Sequence, residues 1–482
     1  MTATDWGLVA QVAVGATFLV LLLADAFIPD DRKSSLGAIS AAGLLVALGA
    51  DLTAANSGLN APGVNHLFFH DTIAIDGFAI FFQVVFIALG LMVLALAPGY
   101  LRRRGILKGE FYVLLVAALA GMTLMVSATN LITIFLGIEL LSIALYVLSA
   151  FLRQAEPSQE AGLKYLLIGG FASGFLLYGM ALLYGGTGST SVGRIATVLP
   201  TLSGDPLLFS MLGIALLLVG VAFKSSAAPF HTWTPDVYQG APTPVVAFMS
   251  VGTKVAAVAV FLRIFVIDFA ATYSRWVLLL GAVAGLSMLV GAIGALRQED
   301  LKRMLAYSSV AQAGYLLLAV VAGPSGMTAG LFYLAAYGVM TFGAFGVVSL
   351  VAGRDSDNAR LDSFRGLGWR RPVLGGLLAL FMLSLASVPP TVGFMGKLFV
   401  LEATIRAGYA PLAIIAIISS AISLYYYLRV VLVIYTAAEG DEVAPATDPW
   451  ATAAIVLAGI LTLVLGIFPG ILYGLAQRSS LL

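Results

Sequence analysis

The chain has 482 residues, 60% hydrophobic and 10% charged, with a mean hydropathy of +1.02 and a formal net charge of +1. A soluble domain carries about 25% charged residues, so this is a polytopic membrane protein, and the balanced charge leaves no basic footprint for nucleic acid. There are no cysteines and three histidines, which excludes cysteine-ligated iron–sulfur clusters, disulfides and thiol catalysis and leaves little scope for haem or zinc.

The first apolar run follows Met1-Thr2-Ala3-Thr4-Asp5 rather than a basic segment, so it reads as a span and not as a cleavable signal. Runs of about 20 residues, enough to cross a bilayer, fall near 7–27, 36–55, 77–97, 110–128, 130–152, 162–184, 207–229, 242–266, 275–296, 303–323, 327–352, 373–407, 409–436 and 451–475. None alternates in polarity as the strands of a membrane barrel would. The expected fold is an all-α polytopic membrane protein with about fourteen transmembrane helices.

Alternate loops collect the positive charge. One side holds Arg32, Lys33, Arg102, Arg103, Arg104, Lys108, Arg153, Lys164, Arg297, Lys302, Arg303, Arg354, Arg360, Arg365, Arg370 and Arg371, against Arg194, Arg263, Arg275, Arg406 and Arg478 on the other. By the positive-inside rule both termini lie outside, periplasmic in a bacterial cell inner membrane. An organellar inner membrane fits the same pattern. Residues 230–241, without Lys or Arg, and the acidic stretch 439–448 run against the bias without outweighing it.

Two spans carry interruptions. Residues 373–407 would make a straight helix of about 50 Å against about 30 Å of hydrocarbon. Inside them SLASVPPTVGFMGK places Pro389 and Pro390, which lack backbone donors, before Gly393 and Gly396. The seventh span reads Lys224-Ser225-Ser226-Ala227-Ala228-Pro229, a similar wording when Pro229 is set beside Pro389. Each break is fourth in a block of five spans, and an odd number of spans reverses the direction from which the next block enters. The pattern predicts two inverted five-helix repeats, helices 4–8 and 9–13, with broken helices 7 and 12. Domains follow as helices 1–3 (1–109), a first repeat (110–266), a second repeat (267–436) and helix 14 (437–482).

Ionisable residues inside apolar sequence are functional candidates because intramembrane charge is costly. Glu139 sits about nine residues into the fifth span, Lys224 beside the first break, Lys254 twelve residues after Pro242, and Lys397 just past the second break. A Glu139–Lys224 pair offers two protonation arrangements, and lysine exchanges a proton where arginine does not. The expected arrangement is a proton relay with Lys254, Lys224 and Lys397 spread across the membrane depth. The rival readings are lysines snorkelling to the interface and a static ion pair that fixes packing. His231 offers an intermediate or access group, or else packs the 230–241 connection. His66 and His70 have metal-like i,i+4 spacing but lack a third ligand, and read better as an interfacial turn.

Four stretches, PFHTWTPDVYQGAPTPVVAF (229–248), MLAYSSVAQAGYLL (304–317), LDSFRGL (361–367) and SLASVPPTVGFMGK (384–397), resemble the antiporter-like membrane subunits of proton-pumping NADH:quinone oxidoreductase, respiratory complex I, in the wording of subunit N. The resemblance covers nearly the whole chain. It implies a translocase subunit without redox chemistry or cofactor of its own, with flavin, iron–sulfur clusters and quinone in partner subunits. Lipid, internal water, and M-like and K-like membrane neighbours are the implied surroundings. It also matches Glu139, Lys224, Lys254 and Lys397 to the family's proton path through bound water, and Lys302 to a basic position of less settled role. A subunit of an Mrp-type Na⁺/H⁺ antiporter is the alternative that shares most of these features.

Overall fold

In hydrocarbon every backbone polar group needs a partner within the protein, and a chain of apolar runs without alternating polarity meets that need by helices. The computed structural model describes residues 3–29, 32–56, 65–351, 359–437 and 447–481. Helices α1 (Ala3–Phe27) and α2 (Ser34–Ala54) precede a hairpin of β1 (Asn65–Phe68) and β2 (Ile73–Asp76). Then come α3 (Gly77–Arg103), α4 (Gly109–Ser127), α5 (Leu131–Ser149), α6 (Glu156–Thr187), short α7 (Val192–Val198), α8 (Gly204–Lys224), short α9 (Trp233–Gly240) and α10 (Thr243–Phe261). The remainder is α11 (Tyr273–Ala295), α12 (Leu301–Val321), α13 (Met327–Val351), one-turn α14 (Leu367–Arg370), α15 (Pro372–Leu385), α16 (Val392–Arg406), α17 (Ala410–Tyr435), α18 (Pro449–Ile467) and α19 (Gly470–Arg478). Asp76, Asn130, Asp300 and Asp448 cap α3, α5, α12 and α18 with their side chains, satisfying amides that a helix start leaves open.

Among the described residues thirteen helices are long and apolar enough to span a membrane. The half-helices α15 and α16 take the place of the long twelfth run. The last span is shorter than the sequence suggests: α18 stops at Ile467 and residues 470–478 form the separate α19. Helix α10 is buried along its whole apolar window, whereas that of α1 is 28% buried. The centre is therefore α10 with α12 and α13, and the outer helices present apolar side chains such as Leu23, Phe171 and Leu432 to the surroundings. Helices α6 and α8 cross where a β-carbon on Gly179 would come within 2.8 Å of the Gly213 carbonyl, so the crossing depends on both being glycine.

One further expectation changes. Arg263 is not a loop charge: it is 6% exposed, beyond the end of α10, and its guanidinium takes both oxygens of Asp76 at 2.8 and 2.9 Å. The pair fastens that end of α10 to the start of α3, and the charge asymmetry survives without it. His66 and His70 do not share a helical face, because His66 lies in β1 opposite Ile75 and His70 in the turn with φ +54°. Arg354 and residues 439–446 lie outside the described residues.

A candidate proton relay between two helix breaks

Proline rings clash with the carbonyl four residues earlier. Pro229 thereby forbids helix at Ser225, and α8 ends one residue before it, at Lys224. The chain leaves the helix through Ser226, at φ +61°, with Ser226 N bonded to Phe223 O (3.0 Å) and Ala227 N to Ala222 O (2.9 Å). This is the two-bond closure of a Schellman turn, with serine in the left-handed position that glycine usually takes. The second break repeats it: Ser387 has φ +63°, Ser387 N meets Ser384 O (2.9 Å) and Val388 N meets Leu383 O (2.9 Å). Both breaks have a cis peptide, Ala228–Pro229 and Pro389–Pro390. Ser226 thus corresponds to Ser387 and Pro229 to Pro390. Aligning Pro229 with Pro389 by wording is one residue out, because the left-handed residue sets the turn and not the first proline.

Lys224, 2% exposed, donates to Ser142 Oγ (2.6 Å) and Tyr146 Oη (3.3 Å), and its ammonium lies 5.4 to 5.9 Å from the rings of Tyr146, Phe223 and Tyr165. Glu139 is not its direct partner. The Glu139 carboxylate accepts a hydrogen bond from Ser173 on α6. It is half-buried, on a helix whose Leu136 and Ile143 are exposed. Ser142, one turn along α5 from Glu139, accepts from the amine and donates to the Ile138 carbonyl. The sequence suggests a direct pair of the two charges, whereas the amine meets Ser142 on α5 and the carboxylate meets Ser173 on α6.

Lys254, fully buried, donates to Ser226 Oγ and Tyr238 Oη, each at 3.0 Å. Its amine therefore sits against the first break itself. Lys397 reaches back from α16 to the second break, donating to Leu385 O (3.3 Å) and Ser420 Oγ (3.4 Å), with the Tyr315 ring 4.2 Å away. Ser142, Lys254 and Ser420 are each about ten residues into their helices, roughly 15 Å. The three amines accordingly lie near one depth. The row runs along the membrane plane, not across its thickness.

Between Lys254 and Lys397 the structure adds groups that sequence reasoning missed. Tyr238 neighbours Tyr337 and Ser309. Tyr337 bonds Ser309 Oγ (2.9 Å) and the Ser250 carbonyl (3.0 Å), while Tyr333 donates to Gln312 Oε1. Gln312 Nε2 contacts the same Leu385 carbonyl that Lys397 uses, at 3.4 Å. The signal was available: Ser308, Ser309, Gln312 and Tyr315 share one side of α12, and Tyr333 and Tyr337 are one turn apart on α13.

His231 and Lys302 stand apart from this row. His231 is half-buried with Nδ1 unpartnered, and burial pushes its imidazole below the ordinary value. None of the hydrogen bonds of Lys224 or Lys254 goes to it. Lys302, fully buried, donates to Ala241 O (2.8 Å) at the end of α9. Beside it Asp236 takes Lys164 at 2.9 Å and Arg303 at 2.7 Å. Burial alone would raise the Asp236 carboxyl, but the two cations outweigh it and hold the group below the usual carboxylate range. Lys164 and Asp236 edge a cavity of about 450 Å³ that Arg104, Glu160 and Asp300 also line. Among the described residues no cluster of three His, Cys, Asp or Glu side chains is placed to hold a metal ion.

Residues 128–423, which contain both breaks and all four relay candidates, match the family described as NADH:quinone oxidoreductase/Mrp antiporter, transmembrane. The chain belongs to this family. Within it, the chain is 43% identical to the NADH-quinone oxidoreductase subunit N of Trichlorobacter lovleyi, covering 97% of this chain and 95% of that protein. It is 40% identical to the subunit N of Chloroflexus aggregans, over 98% and 97% of the two chains. Among solved structures, a chain of respiratory complex I from Thermus thermophilus with bound aureothin superposes with a TM-score of 0.81 at 35% identity, covering 96% of this chain and 98% of that one. A chain of the Mrp complex from a Dietzia species has a TM-score of 0.86 at 22% identity, over 99% and 97% of the two chains, a likeness of fold.

Proposed function

We propose that the chain is the proton-translocating, N-type membrane subunit of an NADH:quinone oxidoreductase, and that Glu139, Lys224, Lys254 and Lys397 carry the proton. The observation that bears most weight is the choice of partners around the buried amines. Serine and tyrosine hydroxyls accept from an ammonium and donate to a neutral amine, whereas a carboxylate or carbonyl only accepts. Lys224 and Lys254 have hydroxyl partners alone, so either protonation state keeps its hydrogen bonds. Lys397 has one hydroxyl and one carbonyl. A static ion pair would call for a carboxylate at the amine, and Lys224 has none in contact.

In this reading a proton passes along Lys224, Lys254, Tyr238, the Tyr337–Ser309–Gln312 group and Lys397, with water completing the gaps. The two breaks supply irregular backbone at membrane depth, which is tolerated where it lines such a path. Glu139, half-buried in an apolar face, is the group through which a neighbouring membrane subunit, M-like or K-like, alters the charge at Lys224. Electron transfer, with its flavin, iron–sulfur clusters and quinone, belongs to other subunits. The blocks 110–266 and 267–436 act as two inverted halves joined at the breaks, and both termini face the periplasm of a bacterial cell. His231 and Lys302 belong to the access side of the path. The higher identity to subunit N than to the Mrp chain favours complex I over an antiporter assembly.

The test is reconstitution of the purified complex with Glu139→Gln or Lys224→Ala. Loss of proton pumping with the complex assembled is the expected result. Undiminished quinone reduction and pumping in both variants overturns the relay.

A further inference from the structure

Away from the relay, α1 to α4 enclose a layer of polar side chains in otherwise apolar surroundings. Asp51 on α2 is 0% exposed and neither carboxyl oxygen has a hydrogen-bond partner. Gln83 on α3 is 1% exposed and neither amide atom has one. Gln11 on α1 donates from Nε2 to Ser127 Oγ of α4 at 3.1 Å, and its Oε1 is unpartnered. No other place among the described residues gathers so many buried, unpaired polar atoms.

Helix register brings these groups to one level. A β-carbon on Gly90 of α3 would lie 3.2 Å from Leu44 of α2. Asp51 is seven residues beyond Leu44 and Gln83 seven before Gly90, about two turns each way on antiparallel helices, hence the same faces at the same height. On the other flank a β-carbon on Gly7 would lie 3.9 Å from Ala54, and from that contact Gln11 and Asp51 are each one turn inward. Ser127 closes the layer from α4.

An ionised carboxyl without a partner is too costly to keep at such a place, so the layer calls for a counter-charge. The described charged groups on the packing elements do not supply it. Asp25, Arg32, Lys33, Arg102, Arg103 and Glu110 are at the opposite ends of their helices, Asp76 is held by Arg263, and His66, His70 and Asp71 of the hairpin are exposed. We propose that Asp51 is a proton-binding site of the amino-terminal bundle, distinct from the lysine relay, with Gln83 as its hydrogen-bonding complement. A carboxylic acid and a primary amide fit each other: the acid O–H donates to the amide oxygen and the amide N–H donates to the acid carbonyl, directly or across one water. One proton then satisfies all four unpaired atoms. A bound metal cation would be met by the carboxylate and the glutamine oxygens but would leave the Gln83 NH₂ without an acceptor. The site lies three residues from the end of α2, so it exchanges its proton with the aqueous side on which α2 ends.

The experiment treats the intact complex in native membranes with dicyclohexylcarbodiimide, an apolar reagent that adds to protonated carboxyls, and maps adducts by mass spectrometry. An adduct on Asp51 at neutral pH, formed equally in Na⁺ and K⁺ media and about tenfold faster in Gln83→Leu, is expected, the scale of one lost hydrogen bond. Suppression of the adduct by Na⁺ or K⁺ would identify a cation site and overturn the proposal. Absence of an adduct in both wild type and Gln83→Leu overturns it as well. Asp51→Asn, whose amide keeps a donor and an acceptor toward Gln83, is expected to assemble normally, whereas a requirement for charge predicts its loss. None of these outcomes depends on the relay being correct.

Discussion

The two helix breaks have the same backbone and different furnishings. In the first, the Ser226 hydroxyl holds Lys254, and Lys224 ends the helix against Ser142 and Tyr146. In the second, the Ser387 hydroxyl is buried without a partner, Leu385 stands where Lys224 does, and the amine comes from Lys397 on the following half-helix. One turn geometry therefore serves two chemistries. The neighbouring side chains decide what meets the turn: two amines held by hydroxyls at the first break, and one amine on the Leu385 carbonyl and the Ser420 hydroxyl at the second.

The largest expected effect tests whether both breaks share one path. Lys254→Met is expected to lower proton pumping in reconstituted complex by about a hundredfold, the scale of removing a positioned proton-transfer group. Lys254→Arg is not expected to restore it, since arginine keeps its proton. Pumping retained in the arginine variant would mean that a fixed positive charge suffices there.

Next comes the packing of the second break. A β-carbon on Gly393 would fall 2.0 Å from the Ser384 carbonyl, while Thr232, at the matching place in the first break, is exposed. Gly393→Ala is expected to cost about 1–3 kcal/mol by overpacking, read as a lower thermal transition of the complex, with Thr232→Ala near neutral. Equal effects would mean that the breaks are packed alike.

The serines provide a finer contrast. Ser226→Ala removes a partner of a buried amine and is expected to cost about 1–3 kcal/mol, whereas Ser387→Ala is expected to be close to neutral. If chemical denaturation ranks them the other way, the partner assignment at Lys254 is wrong. Ser387→Gly, which frees a left-handed position from its β-carbon, is expected to stabilise by about 1 kcal/mol.

The smallest effect lies at the surface, where Asp236 joins Lys164 and Arg303. A carboxyl held below its usual range contributes stability above its unfolded value, and that contribution is lost as pH falls through the folded one. Thermal scans from neutral to acid pH are expected to show this loss in the wild type. In Asp236→Asn the contribution is already missing at neutral pH and its acid dependence disappears.

Much of this protein was determined by sequence alone. Composition and apolar run length dictate a polytopic helical membrane protein, because hydrocarbon accepts a chain only when its backbone is satisfied internally. Charge inside those runs made Glu139, Lys224, Lys254 and Lys397 functional candidates, because intramembrane charge is costly. Tertiary structure decided which groups meet. Glu139 takes Ser173 on α6 while Lys224 takes Ser142 and Tyr146 on α5, and long flexible stems carry three amines to one depth. Hydroxyls distant in sequence, such as Ser142 for Lys224 and Tyr238 for Lys254, become partners only when helices pack. Asp51 shows the same limit: it sits among the apolar residues of α2 in the sequence, and the register of α1, α2 and α3 is what faces it toward Gln11 and Gln83.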